Sequence, residues 1–476
     1  MSPDNPALWL FVAIATPCAF LAIKYWQHAL FGVFVLLVFE GALRKWAFPW
    51  AQAQIYLVKD AILVAAYLGF ILNNQRSQPS PTSLGLIKNV LMVCFVFGCI
   101  QVLNPNSPSI LVGLAGLKTY FLYAPIAFVL PYAFKSREHL FILIRRYLIM
   151  AIPVAVLGFF QIVAGPGSIL NTYVSHSEDA PAVLAYFGEA EFVRTSGTFS
   201  YVSGYTAFLS FISFLAIGYN TANGWRMKNN FAPILALTLV VGAMFTTGSR
   251  GPVFTLLATG PIILWLAATS GVLSSRIATR LGILVPVVAI VALSISPRAY
   301  QAFMERAGSA TEADSTLMRL FSPLDQTIGT LSEGPVLGMG IGTTHPAALT
   351  IMGTEWPWWL NGLLTEAEMA RVTVELGPIG LLFYYLLLRF LIAAFALRCA
   401  MSFKDRTYRA LGIVLAIYLA LALVSNTIML NVTAGLYYWG ALGLVLAMWR
   451  FERRKDLGES VQNLSLAGRQ FQASRV

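Results

Sequence analysis

Charge is what this sequence has least of: 11% of its 476 residues are Asp, Glu, Lys or Arg, where soluble domains carry about a quarter. So little charge excludes a soluble globular domain of this length. Cysteine and histidine are also sparse, at four residues each. Cys18, Cys94, Cys99 and Cys399 fall inside apolar runs without metal-ligand spacing, so they read as packing residues. No cluster of His, Cys, Asp and Glu at ligand spacing occurs, and nothing in the sequence points to a metal or other cofactor. The first apolar stretch, Ala7 to Ile23, follows MSPDNP, with no basic n-region and no small-residue cleavage site. It reads as a retained span.

What is abundant is hydrocarbon. Hydrophobic residues make up 58% of the chain, and mean hydropathy is +0.71. They form continuous helix-length runs, unlike the short alternating segments of an outer-membrane barrel. The expected fold is all-α, a polytopic membrane helical bundle. Runs at 7–23, 28–43, 55–72, 86–103, 110–134, 139–165, 201–220, 231–247, 252–269, 280–296, 372–398, 407–426 and 432–449 predict about thirteen transmembrane helices.

The net charge of +11 stands in basic residues scattered singly at span ends, a positive-inside distribution and not a nucleic-acid patch. FKDRTYR and the FERRKD tail are placed in the cytoplasm on this rule. Alternation then puts the basic loops at Arg276 and Arg280, Arg226 and Lys228, Lys135 and Arg137, and Arg76 and Lys88 on the same side. The opposite, outer face receives NPNSPS, the turn at Arg250 and two long loops. The chain divides into N-terminal membrane helices (1–165), a first long outer loop (166–200), central helices (201–296), a second long outer loop (297–371), C-terminal helices (372–449) and a cytoplasmic tail (450–476).

Arginine is not needed for topology on the outer face, yet Arg44 with Lys45, Arg194, Arg250, Arg319 and Arg371 all fall there. Snorkelling or a phospholipid headgroup accounts for any one of them. Together, between glycine-flanked turns, they point to an anionic ligand such as a phosphate or diphosphate, whose oxygens a guanidinium engages through paired donors. The long loops carry further chemistry. EAEFVRTSG places Glu189 and Glu191 near Arg194, and SEGPVLGMGIGTTHPA packs four glycines between Gly334 and Gly342 before His345. The glycine run lacks the Lys-Ser or Lys-Thr of a nucleotide P-loop and has no strand pattern ahead of it, so it reads as a turn lining a cavity. Glu368, Arg371 and Glu375 recur on one helical face at the mouth of an apolar span. A carboxylate there needs a cavity or a partner. A pair with Arg371 and a role at the site are both compatible with the pattern.

Four segments taken together, RTSGTFSYVSGYTAF, TTGSRGPVFTLLATG, RLFSPLDQTIGTLSEGPVLGMGIGT and VELGPIGLLFYYLLL, resemble in order and spacing the O-antigen ligase and polymerase superfamily. The resemblance covers roughly Arg194 to Leu388. It implies a metal-independent membrane glycosyltransferase at the periplasmic face of a bacterial inner membrane. Its substrate would be an undecaprenyl-diphosphate-linked oligosaccharide, and a flippase and a chain-length regulator would be its protein partners. By matching position it implies diphosphate or glycan binding by Arg194, Arg250 and Arg319. Arg371, Arg44 and Lys45 are further binding candidates on the same face. Ligases of this superfamily carry a His-Asn pair about nine residues before the Glu-x-Gly motif, and this chain has Glu366 there. The departure favours a repeat-unit polymerase, with Glu366, Glu368, Glu375 or the displaced His345 serving the acceptor hydroxyl. A ligase, and a transporter of lipid-linked glycan or polysaccharide, are the alternatives.

Overall fold

A computed structural model describes residues 6–73, 82–174, 184–187, 190–225, 227–269, 271, 316–345, 348, 351, 367–424 and 431–473. The first half forms α1 (Pro6–Lys24), α2 (Trp26–Ala42), a π-helical turn (Leu43–Ala47), α3 (Gln52–Leu72), α4 (Thr82–Gln101), α5 (Ile110–Phe121), α6 (Ile126–Ala133) and α7 (Arg137–Ala164). After a short antiparallel hairpin, β1 (Leu184–Phe187) with β2 (Ala190–Val193), come α8 (Val202–Ala222), α9 (Met227–Thr246) and α10 (Arg250–Thr269). The remainder is α11 (Thr316–Glu333), α12 (Glu368–Ile379), a π-helical segment (Gly380–Leu387), α13 (Leu388–Ser402), α14 (Arg406–Ala420) and α15 (Val432–Ala473).

Among the described residues, nine helices are long and apolar enough to cross a membrane, or ten if α5 and α6, bent by 45° at a short break, count as one span. The chain is a multi-pass helical membrane protein, as helices satisfy every backbone group where no water is available. Thirteen spans were expected. The difference lies in two shorter apolar helices, Val12–Lys24 and Asn230–Thr246, in the bent pair, and in 280–296, which falls outside the described residues. Asn230 has non-helical backbone angles, which shortens the second of these.

Burial sorts the helices into centre and rim. The Val432–Arg454 span is 89% buried and Gly251–Thr269 only 22%, so α15 is the hub and α10 faces outward. On α15, Tyr437 stacks on Phe211 of α8 at 4.4 Å between ring centroids and shares a hydrogen bond of 2.7 Å with Tyr147 of α7.

Two ends of the bundle are chemically distinct. At one, Arg137 pairs with Asp405 at 2.6 Å, the amides of Lys404 and Asp405 donate to Glu452, and Arg450 donates to the Pro131 carbonyl. This end joins the start of α7, the end of α6, the start of α14 and the exit of α15. At the other, the ends of α2, α4, α7 and α9 meet the starts of α3, α5 and α8 and the glycine run after α11. The described residues of the loops expected on one outer face are thereby gathered at one end.

Candidate functional site

The site is built on the segment Arg194–Ser200, which is tied to three helices. Thr195 bonds Thr246 of α9 through backbone and hydroxyl, Gly197 exchanges hydrogen bonds with Gln161 of α7, and the Thr198 hydroxyl donates to the Val38 carbonyl of α2. Gly41 makes the last approach possible, since a Cβ there would lie 2.3 Å from the Ser200 amide nitrogen. The segment therefore runs against the end of α2, where Arg44 donates to Ser200 Oγ at 3.0 Å. Buried Lys45 donates to Ser196 Oγ at 3.1 Å and to the Gly197 carbonyl at 2.8 Å.

Behind these two cations lies a buried ionic cluster. Glu40 Oε2 sits 2.8 Å from Lys59, and its other oxygen is 3.4 Å from Arg44. Asp60 takes Lys118 of α5 at 2.5 Å and the Tyr123 hydroxyl at 2.8 Å. The Tyr56 ring stands among three of the cations, with Lys59, Lys118 and Arg44 at 3.8, 4.3 and 5.3 Å from its centroid. Its π face adds a weak attraction to each. Three cations, Arg44, Lys59 and Lys118, thus meet two carboxylates, Glu40 and Asp60, an excess of one positive charge, with the Lys45 amine a residue along from Arg44. Lys45 has only neutral partners.

The glycine run forms the adjoining wall. Its amides at Met339 and Gly340 pair with the carbonyls of Val374 and Glu375 on α12. Glu375 then reaches back into the loop: its carboxylate accepts from the Gly342 amide at 2.8 Å, the Thr344 amide at 2.9 Å and the Thr344 hydroxyl at 2.6 Å, with the Tyr120 hydroxyl as a further partner. Gly342 has φ +84°, and a Cβ on it would lie 2.4 Å from the Val112 carbonyl. Gly342→Ala is accordingly expected to destabilise the loop by about 2 kcal/mol or more, with a lower melting midpoint and loss of function in one variant. An unchanged midpoint would contradict the packing described.

His345, one residue past Thr344, lies within electrostatic reach of Lys118, which connects the glycine wall to the ionic cluster. Burial first, and Lys118 second, lower its pKa to about 4, so the imidazole is neutral at pH 7. A histidine whose folded pKa lies below its unfolded value near 6.5 stabilises the fold above that value and loses this contribution as pH falls through about 4. His345→Gln should therefore flatten the acid-side fall in melting midpoint between pH 6.5 and 4. Parallel curves for variant and wild type would remove His345 as the titrating group.

Of the sequence candidates, Arg44, Lys45 and His345 converge here. Arg194 lies beside them, with Nε 3.2 Å from the Thr247 carbonyl and a terminal nitrogen 2.8 Å from Ser249 Oγ, in the turn that opens into Arg250. Of Arg250 and Arg319 the backbone alone is described, at the first turns of α10 and α11, and Glu366 lies outside the described residues. On the shared helical face of Glu368, Arg371 and Glu375, Glu368 joins Arg389 of α13 at 2.6 Å, with both side chains buried, and the Glu375 carboxylate holds the glycine loop. Sequence reasoning missed Glu40, Lys59, Asp60 and Lys118. The readable signal was there: an ionisable residue inside an apolar run marks a site unless it is paired.

Among the described residues, no group of three or more His, Cys, Asp or Glu could hold a metal ion. The arrangement gathers more basic than acidic side chains beside a neutral imidazole and a glycine loop held by Glu375, a chemistry suited to an anion. A scan against protein-family models gives no match, and a search of curated proteins gives none.

Proposed function

We propose that this chain is a membrane glycosyltransferase that polymerises oligosaccharide repeat units carried on undecaprenyl diphosphate, working at the periplasmic face of a bacterial inner membrane. The excess of basic over acidic side chains at Arg44, Lys45, Lys59 and Lys118, two of them buried and two half-buried, carries the reading, because charge withdrawn from water is costly unless an anion joins it. It stands beside the segments that resemble the O-antigen polymerase superfamily.

In this reaction the acceptor sugar hydroxyl attacks the anomeric carbon of the glycan being transferred. A glycosidic C–O bond forms as the C–O bond to the diphosphate breaks, and the diphosphate departs with the electron pair. Inversion at that carbon follows from single displacement. The cations and Arg194 offset charge that grows on the diphosphate in the transition state, the largest kind of electrostatic contribution an enzyme makes. Neutral His345 accepts a hydrogen bond from the acceptor hydroxyl. Its proton passes to His345 or to Glu366, and a diphosphate beside Lys118 offsets the part of the pKa lowering that Lys118 causes.

The test uses purified full-length protein in lipid, supplied with undecaprenyl-diphosphate-linked repeat units, with products resolved on a gel. Wild type should give a ladder of chain lengths, and Arg250→Ala should reduce it about 100-fold, as loss of one transition-state donor does. Transfer only to a different acceptor lipid, with no ladder, would assign a ligase. Uptake of glycan into vesicles without bond formation would assign a transporter. A product with retained anomeric configuration would overturn the single displacement.

A further inference from the structure

An apolar cavity lies against Phe31, Phe34 and Val35 of α2, and none of its lining residues belongs to the cation cluster. It has a volume of about 260 Å³ and is bounded by residues of α2, α6, α7, α8 and α15, among them Phe34, Val35, Met150, Phe211 and Gly440. Its wall is apolar save for Arg146 and the Tyr147 hydroxyl, which is already engaged with Tyr437 and the Phe34 carbonyl. A void of this size exceeds what one water needs, and apolar walls do not hold water. Hydrocarbon is the filling that suits it. Val35, on its wall, is 43% exposed, so the cavity opens toward the surface that faces lipid.

The charge on its wall specifies the headgroup. Arg146 is exposed and makes no ion pair among the described residues. Phe31 and Phe134, also on the wall, pack their rings against His139 at 6.0 and 6.4 Å, which puts this part of the cavity at the end of the bundle where Arg137 pairs with Asp405. Lys135, Arg146 and His28 are all within electrostatic reach of His139. Of the nearby carboxylates, Asp405 is taken by Arg137, and Glu138 faces Arg137 as well. An apolar slot that opens to lipid and carries an arginine with no ion pair among the described residues complements one kind of molecule.

We propose that this cavity is a binding site for an anionic phospholipid, with an acyl chain against Phe34, Met150 and Phe211 and the headgroup phosphate on Arg146. It is separate from the diphosphate site and does not depend on that reading.

The experiment is native mass spectrometry of the full-length protein in detergent, with equimolar phosphatidylglycerol and phosphatidylcholine added. Wild type should retain one phosphatidylglycerol with a preference of about fivefold over phosphatidylcholine, the factor one surface-proximal cation supplies. Arg146→Gln, an exposed position where folding is not at issue, should bring the two lipids to parity. Val35→Trp should fill the slot from its lipid-facing wall and abolish retention of both. The proposal falls if wild type retains neither lipid, or if the preference is the same in wild type and Arg146→Gln. It falls too if equimolar undecaprenyl phosphate displaces phosphatidylglycerol from wild type.

Discussion

Lys45→Met is expected to raise the melting midpoint and, in the same protein, to lower affinity for an undecaprenyl-diphosphate substrate tenfold or more. Lys45 is 5% exposed, donates to Ser196 Oγ and the Gly197 carbonyl, and has no carboxylate beside it. Keeping that ammonium out of water without a counter-ion costs stability, and an apolar side chain of similar length removes the cost. A charge-assisted hydrogen bond to a phosphate oxygen contributes roughly 1.5–3 kcal/mol, and each 1.4 kcal/mol is a factor of ten. Opposite signs for stability and binding are the signature of a residue kept for function. A residue kept for architecture would lose on both counts. If neither Lys45→Met nor Arg44→Ala changes substrate affinity or polymer yield while Arg250→Ala abolishes both, the diphosphate site does not extend to α2.

Arg389→Met should destabilise the protein by about 3–5 kcal/mol, because it leaves Glu368 charged and buried without the Arg389 guanidinium. The pair is at 2.6 Å, Arg389 also donates to the Ala422 carbonyl at 2.7 Å, and its guanidinium lies 3.9 Å from the Tyr385 centroid. Adding Glu368→Gln removes the stranded charge and should recover much of the loss, so the double variant is more stable than the single one. Thermal melts of the four proteins close the cycle. The same set decides the role of Glu368. A well-folded double variant that still polymerises excludes it as a catalytic carboxylate, and a folded but inactive one would return it to the reaction.

Part of this site could be read from the chain. Arg44, Lys45, Arg194 and the glycine run could be placed on one face because loops alternate between sides, and the structure brings them to one end of the bundle. The pairing behind them could not be read, since Glu40 with Lys59 and Asp60 with Lys118 join different helices and have no spacing signature. Within α12 the helical repeat of Glu368, Arg371 and Glu375 was legible, and their partners were not. Gly377, at φ +65°, breaks the helix two residues after Glu375, where the glycine loop crosses: a Cβ there would lie 2.3 Å from the Val336 carbonyl. Span counting was less secure for a similar reason. A bend such as that between α5 and α6 depends on what packs against it, whereas hydropathy registers only the apolar run.

The stretch from Glu368 to Ser402, 35 residues long, begins on the glycine wall and ends at the basic end of the bundle. Gly377 breaks it, and beyond the break the 23 residues from Gly380 to Ser402 measure about 35 Å at 1.5 Å per residue, close to the roughly 30 Å of a bilayer's hydrocarbon. A segment of that length adjusts by tilting, and how far depends on the thickness of the surrounding lipid. Glu375 grips the Gly342 and Thr344 amides just ahead of the break, so the glycine loop sits at the hinge of that tilt. Membrane thickness thereby becomes a variable of the site itself, set by the lipids the cell makes.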